Sequence, residues 1–287
     1  MYRRYYWYKS GITETMKKGL QDIYFKSQKF IKLDRNDVIL DIGANDGTLI
    51  NFYKKKYKTI GCEPAKNLIS DLKKKCHYTI SDFWSKKSLD KILKKHNLNK
   101  PKIITAIGMF YDLEKPMKFI NDIAKSLDDK GIFIAQLMCL NSMLKKNDLG
   151  NICHEHIEFY SHKSLKYLFE KNNLEIFKIE ENEINGGSYR IYCRKLNKGS
   201  IKLKNEKIVE SLKKFFIRIN INKKKTISFF KNVTKKGKKI FLYGASTKGN
   251  TLLQYYKIDN TLIPFAAERS KIKYGKYTVG TGIKIIS

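Results

Sequence analysis

Residues 151–161, NICHEHIEFYS, place Cys153, His154, Glu155 and His156 side by side in a chain with five histidines and five cysteines. Three chemistries compete for such a cluster. A zinc ion takes three or four ligands, yet Cys153, His154 and His156 are too crowded to turn together toward one ion, and neither HExxH nor CxxC accompanies them. A polar turn ahead of a helix uses the same residue types, and SHKSL follows with Ser161 as a candidate N-cap. Proton transfer is the third: imidazole titrates near neutral pH, and a neighbouring carboxylate orients the ring and stabilises its protonated form. In an extended segment His154 and His156 would share one face and line the same cleft.

A second constellation lies upstream. DIGANDGT places Gly43 and Gly47 in a turn between a predicted strand and helix, with Asp41 ending the strand and Ala44 and Asn45 completing the loop. Backbone N–H groups are expected to lie exposed there, so that a ligand approaches closely and a carboxylate meets the helix N-terminus. Glu63 ends the next predicted strand, where an acid holds a ribose diol, and Asp82 in ISDFW ends the third, within reach of an adenine amino group. The D-x-G-x-x-x-G turn lacks the tight G-x-G-x-x-G spacing of a pyrophosphate loop and, with two later acids, suits S-adenosylmethionine. No metal is expected.

These side chains need a frame, and the chain supplies alternating strands and helices. DVILDIGANDGTLINFYKKK is an apolar run, a Gly-rich turn and a helical pattern, the first unit of a doubly wound α/β sheet, and YKTIGCEPAKNLISDLKKK repeats it. Further strands are expected at HYTISDF, KIITAIGMF, GIFIAQLM, EIFKIEENEI and SYRIYCR, with helices at KPMKFINDIAKSL and SHKSLKYLFEKNNL. This first domain spans 1–200. A helical linker, one long helix or a pair, spans 201–236, and KKIFLYGASTKGNTLLQYY opens a partial second α/β domain over 237–287.

Composition narrows the class. A chain of 287 residues has ample length for a buried core. The five widely spaced cysteines fit reduced thiols and a cytoplasmic protein better than a disulfide framework. The longest apolar stretch near the middle, GIFIAQLMCL, is about half of what a membrane-spanning helix needs, so no membrane partner is expected. The N-terminus is basic but lacks the apolar core of a signal peptide. The net charge of +32 is spread over nearly every segment. That distribution argues for solvated lysines or a small anionic ligand such as a sugar diphosphate more than for nucleic acid.

In order along the chain, YWYKSGITETM, DIGANDGTL, GCEPAKN, ICHEHIEFYS, NGGSYR and YGASTKGNTLLQY resemble the sugar-nucleotide C-methyltransferases, enzymes that methylate a carbon of a dTDP-linked keto-deoxysugar. The resemblance touches nearly the whole chain. It implies a class I methyltransferase Rossmann-like doubly wound sheet followed by a partial second Rossmann-like α/β domain, with S-adenosylmethionine as cofactor and a nucleotide sugar as substrate. It departs from the family at both ends. The four-cysteine zinc module that should precede YWYKSG is absent and the last domain stops soon after KYGKYTVGTGIKI, so a piece of a longer or split enzyme, completed by a partner chain, or a minimal version is expected.

The resemblance also assigns roles. His156 is the base that removes a proton next to the sugar ketone, with Glu155 beside it; Tyr8 hydrogen-bonds substrate from a segment folded over the active site. Asp41, Gly43, Ala44, Asn45, Gly47, Glu63, Asp82 and Met109, the last in AIGMFYDLEKP beside the transferred methyl, hold the cofactor. His154, Asn185 and Arg190 of NGGSYR, and Lys248 of the YGASTKGN loop, contact substrate, that loop forming an anion-binding nest with Gly244, Ser246 and Gly249. Many relatives carry Tyr at Cys153 and a His within AIGMFYDLEKP, for which Tyr111 or Asp112 stands in. The expected activity is S-adenosylmethionine-dependent C-methylation of a nucleotide-linked keto-deoxysugar through a His-generated enolate. RNA methylation and a non-catalytic fragment needing a second polypeptide are the alternatives.

Overall fold

A computed structural model describes residues 6–196 and 211–287. The expected domain boundary near residue 200, the first ten residues of the expected linker and the first five residues of the chain lie outside them. In chain order the elements are α1 (Glu14–Phe30), β1 (Val38–Ile42), α2 (Thr48–Lys54), β2 (Lys58–Cys62), α3 (Ile69–Lys75), β3 (Tyr78–Ile80), α4 (Lys86–Lys95), β4 (Ile103–Ile107), α5 (Pro116–Ser126), β5 (Ile132–Met138), α6 (Leu140–Lys146), α7 (His162–Glu170), β6 (Leu174–Asn182), β7 (Ser188–Lys195), α8 (Leu212–Lys235), β8 (Phe241–Tyr243), α9 (Thr247–Tyr256), β9 (Phe265–Ala267) and β10 (Lys284–Ile286). They fall into two compact units. The first holds residues up to 139 and 158–206, the second 140–157 and everything from 207 onward.

The first unit is the expected doubly wound sheet. Its seven strands run β3-β2-β1-β4-β5-β7-β6. The first five are parallel and β7 enters antiparallel between β5 and β6. Strands covered on both faces read as continuous apolar runs, and every residue of VILDI and IFIAQLM is buried. Along β1, Val38, Leu40 and Ile42 face one core with Leu89, Ile120 and Leu165 of α4, α5 and α7, whereas Ile39 faces the other with Leu20, Ile23, Ile50 and Leu72 of α1, α2 and α3. Each fully buried Ile or Leu contributes about 1.5–3 kcal/mol of transfer free energy.

Local signals set the boundaries. Pro116 opens α5, where its missing N–H costs nothing. Ser161 caps α7 as its sequence suggested, its Oγ accepting from the Ser164 amide while the Ser164 Oγ accepts from the Ser161 amide. The NGG of NGGSYR is the tight turn of the β6–β7 hairpin, with Asn185, Gly186 and Gly187 all at positive φ. That hairpin sends β7 back into the gap beside β5.

The second unit carries a parallel three-stranded sheet, β10-β9-β8. Leu253, Tyr256, Ile258, Ile263, Ala266, Ile283 and Ile285 form its interior. Among the described residues of the expected linker, 211–236, there is one helix, α8, of 24 residues. Two positions one turn apart, Phe215 and Ile219, are buried along it. No described helix is long and apolar enough to cross a membrane.

Candidate functional site

In the first unit the predicted cofactor residues gather at the carboxyl ends of the parallel strands, the edge where open α/β sheets bind ligands. Asp41 lies near the end of β1, Glu63 follows β2, Asp82 follows β3 and Met109 follows β4. Gly43 has φ +70, and a Cβ there would stand 3.0 Å from the Met109 Cγ, so loop and methionine pack against one another. Asn45 occupies a left-handed position, φ 53, which asparagine tolerates better than most residues. That tolerance lets the loop turn without a glycine at its centre.

The loop differs from expectation in one respect. Its N–H groups are not exposed: Gly43 and Ala44 donate to the Cys62 carbonyl, Asn45 to Glu63 Oε2, Asp46 to the Asn45 side chain and Gly47 to the Ala44 carbonyl. The start of α2 is likewise already served by a carboxylate of the chain. Asp46 Oδ1 accepts from the Thr48 amide and hydroxyl, leaving a ligand carboxylate a poor competitor for that position. Glu63 accepts from the Ala65 amide through its other oxygen. Any ribose contact is thus shared with two backbone donors that also hold the loop's shape. Asp82 is exposed and accepts from the Phe83 amide.

Asp41 is buried with Glu63 nearby. Burial first, opposed by the Thr105 hydroxyl and reinforced by the Glu63 charge, pushes its carboxyl up to about 7. Glu63 is raised as well, mainly by burial and against two backbone donors. A ligand bringing positive charge to this edge would relieve both.

The segment bearing Tyr8 is laced onto this loop. The Asn45 side chain donates to the Tyr8 carbonyl (3.0 Å) and accepts from the Ser10 amide (2.9 Å), and Asp46 accepts from the Gly11 amide (3.1 Å). Farther along, Asn67 exchanges two hydrogen bonds with the Tyr6 backbone, and Lys9 pairs with Asp71. Tyr8 is 44% exposed, and partial desolvation of its phenol, then the Asp46 charge, raises its pKa to about 12, which keeps it a hydrogen-bond donor at neutral pH.

The cluster in NICHEHIEFYS belongs to the second unit up to Ile157. It is a turn and not an extended segment, closed by the His156 amide on the Cys153 carbonyl (3.1 Å). His154 is consequently exposed while His156 is half-buried, so the shared face expected of an extended run is absent. His156 Nδ1 lies 2.9 Å from the Asn151 carbonyl. A carbonyl only accepts, so the neutral ring carries its proton on Nδ1 and its basic lone pair on Nε2. Burial lowers the His156 pKa; the Asn151 carbonyl opposes this, the Lys248 charge adds to it, and Glu155 and Asp148 oppose it. The ring is therefore neutral at physiological pH. Among the described residues no group of three His, Cys, Asp or Glu side chains is arranged to hold a metal.

Three predicted substrate contacts have other partners. Arg190 is buried in β7. Its Nε donates to Gln136, Nη1 to Asp22 and Nη2 to the Gly19 carbonyl, which ties the sheet to α1. Asn185 is an exposed residue of the hairpin turn. Lys248 pairs with Asp148 at 3.1 Å. The YGASTKGN nest is closed by the chain itself: Gly244 donates to the Ala267 carbonyl, Ala245 to Glu268, and Gly249 to the Ser246 Oγ that caps α9. Thr105, Asp46, Asp148 and Asn151 were missed by sequence reasoning. Asp46 alone carried a local signal, an acid two residues ahead of a helix start.

A family model described as a methyltransferase domain matches residues 12–179, and one described as a C-methyltransferase C-terminal domain matches residues 183–287. The C-methyltransferase NovU of Streptomyces niveus is 23% identical over 270 residues, which cover 90% of this chain. The matched region is 64% of that relative's length. Among solved structures, magnesium protoporphyrin IX methyltransferase (ChlM) from Synechocystis PCC 6803 with bound SAH is 9% identical at a TM-score of 0.47, covering 66% of this chain and 90% of that one. An S-adenosylmethionine-dependent methyltransferase from Clostridium acetobutylicum is 12% identical at 0.46, covering 64% and 92%. The methyltransferase-domain match covers more than half of the chain, so the chain belongs to the methyltransferase-domain family, and the residues that follow match a C-methyltransferase C-terminal domain.

Proposed function

We propose that this protein is a C-methyltransferase acting on a nucleotide-linked keto-deoxysugar, with His156 as the base. S-adenosylmethionine supplies an electrophilic methyl group on a sulfonium when bound. Methylating carbon requires first removing a proton from the carbon next to the ketone; the electron pair left behind, delocalised as an enolate, forms the new carbon–carbon bond as the methyl–sulfur bond breaks. The proton goes to a base that must be neutral beforehand and correctly aimed.

The observation that carries this reading is the His156 hydrogen bond to the Asn151 carbonyl, which leaves Nε2 as the basic nitrogen, together with burial that keeps the ring neutral. Glu155 stabilises the imidazolium that forms, since its charge raises the His156 pKa. Tyr8, protonated throughout the working range, is a donor for the substrate from the strap over the loop. Asp41, Gly43, Ala44, Asn45, Gly47, Glu63, Asp82 and Met109 hold the cofactor, and the net charge of +32 suits a diphosphate-bearing substrate.

The test pairs calorimetry with isotope exchange. Wild type is expected to bind S-adenosylhomocysteine and to exchange the proton next to the ketone of a dTDP-linked keto-deoxysugar in deuterated water. His156→Gln is expected to bind the cofactor product equally and to lose exchange by about 10²–10⁴-fold. Undiminished exchange in His156→Gln removes the assignment. A folded wild type without cofactor affinity points to a second polypeptide, and salt-sensitive RNA binding with methyl transfer points to RNA.

A further inference from the structure

Asp148 sits just before the turn that ends in His156, and one of its oxygens gathers two donors. Oδ2 accepts from the Asn151 Nδ2 at 2.8 Å and from the Lys248 Nζ at 3.1 Å. Asn151 is 2% exposed. The backbone carbonyl of this Asn151 is the acceptor for His156 Nδ1. Two further bonds wind the segment, the Asn151 amide on the Asp148 carbonyl and the Ile152 amide on the Leu149 carbonyl. Ahead of it, Arg218 on α8 donates to the Asn147 side chain and the Leu144 carbonyl.

Close approach makes the arrangement possible. Gly150 lies against the first turn of α9, where an added Cβ would stand 2.7 Å from the Lys248 Cβ and 3.0 Å from its carbonyl oxygen. Such contacts force one side to move, so only glycine lets Lys248 approach closely enough to meet Asp148. The carboxylate therefore fastens α9 and the side chain of Asn151 to one point, and the Asn151 backbone follows its side chain. Lys248, Glu155 and Asp148 are among the charged groups acting on His156, and all three lie within the second unit.

We propose that Asp148 is a positioning residue for His156: by holding Asn151 and Lys248 it keeps the Asn151 carbonyl on Nδ1 and fixes which ring nitrogen is basic. The inference rests on the reading of His156 as the base. Its physical content is separable from that reading, because tautomer and titration are properties of the ring whether or not the ring abstracts a proton.

The signs are definite. Asp148→Asn keeps an oxygen able to accept from Asn151 but removes a negative charge, so the imidazolium is less favoured and the His156 pKa falls. Lys248→Met removes a positive charge, and the pKa rises. Asp148→Ala removes charge and acceptor together and releases the Nδ1 tautomer.

The experiment is a nitrogen-15 NMR titration of the histidine rings in the full chain, with deuterium exchange of the keto sugar measured across the same pH range. Expected are an Nδ1-protonated His156 in wild type and Asp148→Asn, a mixed or Nε2-protonated ring in Asp148→Ala, and pKa shifts of opposite sign for Asp148→Asn and Lys248→Met. The acid limb of the exchange profile should move to lower pH in Asp148→Asn and to higher pH in Lys248→Met. An unchanged tautomer in a folded Asp148→Ala overturns the proposal. Should that variant fail to fold, shifts of the same sign, or none, in the other two overturn it. Ring shifts as expected with an exchange profile that ignores them leave the positioning role standing and remove His156 as the base.

Discussion

Thr105 donates its hydroxyl to Asp41 Oδ1 at 2.6 Å, directly across the β1–β4 pair. This bond is the main favourable contact of a carboxylate that burial would otherwise keep protonated, and it is opposed by the charge of Glu63. With its folded pKa raised from 3.8 to about 7, Asp41 favours the folded state fully at pH below about 4, and this stabilisation is lost as pH rises toward 7. The loss is on the order of 4 kcal/mol at most. Asp41→Asn keeps the acceptor for Thr105 and removes the charge. Chemical denaturation should find it about as stable as wild type at pH 4 and clearly more stable at pH 8, with a weaker affinity for S-adenosylhomocysteine as the accompanying cost.

Asn45 has two duties that one pair of substitutions separates. Its backbone holds the left-handed turn, and its side chain fastens residues 8–10. Asn45→Gly satisfies the turn and removes the tether; Asn45→Ala loses both and adds about 1 kcal/mol of backbone strain. Hydrogen exchange of the Ser10 and Gly11 amides should quicken in both variants, while only Asn45→Ala shows a marked drop in melting temperature. Protection of those amides in Asn45→Gly equal to wild type would mean the strap is held elsewhere.

The Arg190 network predicts an asymmetry. Asp22→Ala leaves a guanidinium that is 2% exposed without its carboxylate, which costs roughly 3 kcal/mol. Arg190→Met leaves an Asp22 that is 45% exposed and can be solvated, and a Gln136 whose oxygen still accepts from Asn182. Equilibrium unfolding should therefore rank Asp22→Ala as the more damaging change. A substrate role for Arg190 predicts instead a raised KM in Arg190→Met with stability little changed.

Much of the fold could be read from the residues because burial on both faces leaves its mark. VILDI, IITAI and IFIAQLM are strands that could hardly be anything else, and each is followed by a turn and a helical period. The reversal of β7 was not legible, since SYRIYCR reads as a buried strand whichever way it runs; only the NGG turn hints at a hairpin. The site shows the same division. Asp41, Gly43, Glu63 and Met109 could be placed at the carboxyl edge because an α/β sheet puts strand ends and their loops at fixed positions. The ion-pair partners of Arg190 and Lys248 could not be placed, because Asp22 and Asp148 are far off in sequence and spacing says nothing about them.

The discontinuous second unit gives a simple prediction. A polypeptide of residues 207–287 would lack Leu140–Ile157, and with it the turn that Gly150 presents to Lys248 and the acceptors of Arg218. It should show no cooperative thermal transition by circular dichroism. A sharp transition at the temperature of the intact chain would show that the inserted segment contributes nothing to stability.

The same insertion sets a timetable for the growing chain. Asp148 leaves the ribosome 100 residues before its partner Lys248, and Asn147 leaves 71 before Arg218. At about 5–20 residues per second these are delays of roughly 5–20 s and roughly 4–14 s. During these delays every strand of the seven-stranded sheet is synthesised, while the loop carrying His156 still lacks the Lys248 and Arg218 contacts that shape it. A nascent chain therefore completes the carboxyl edge of its parallel strands well before the Asp148–Lys248 contact that shapes the loop carrying His156 can form.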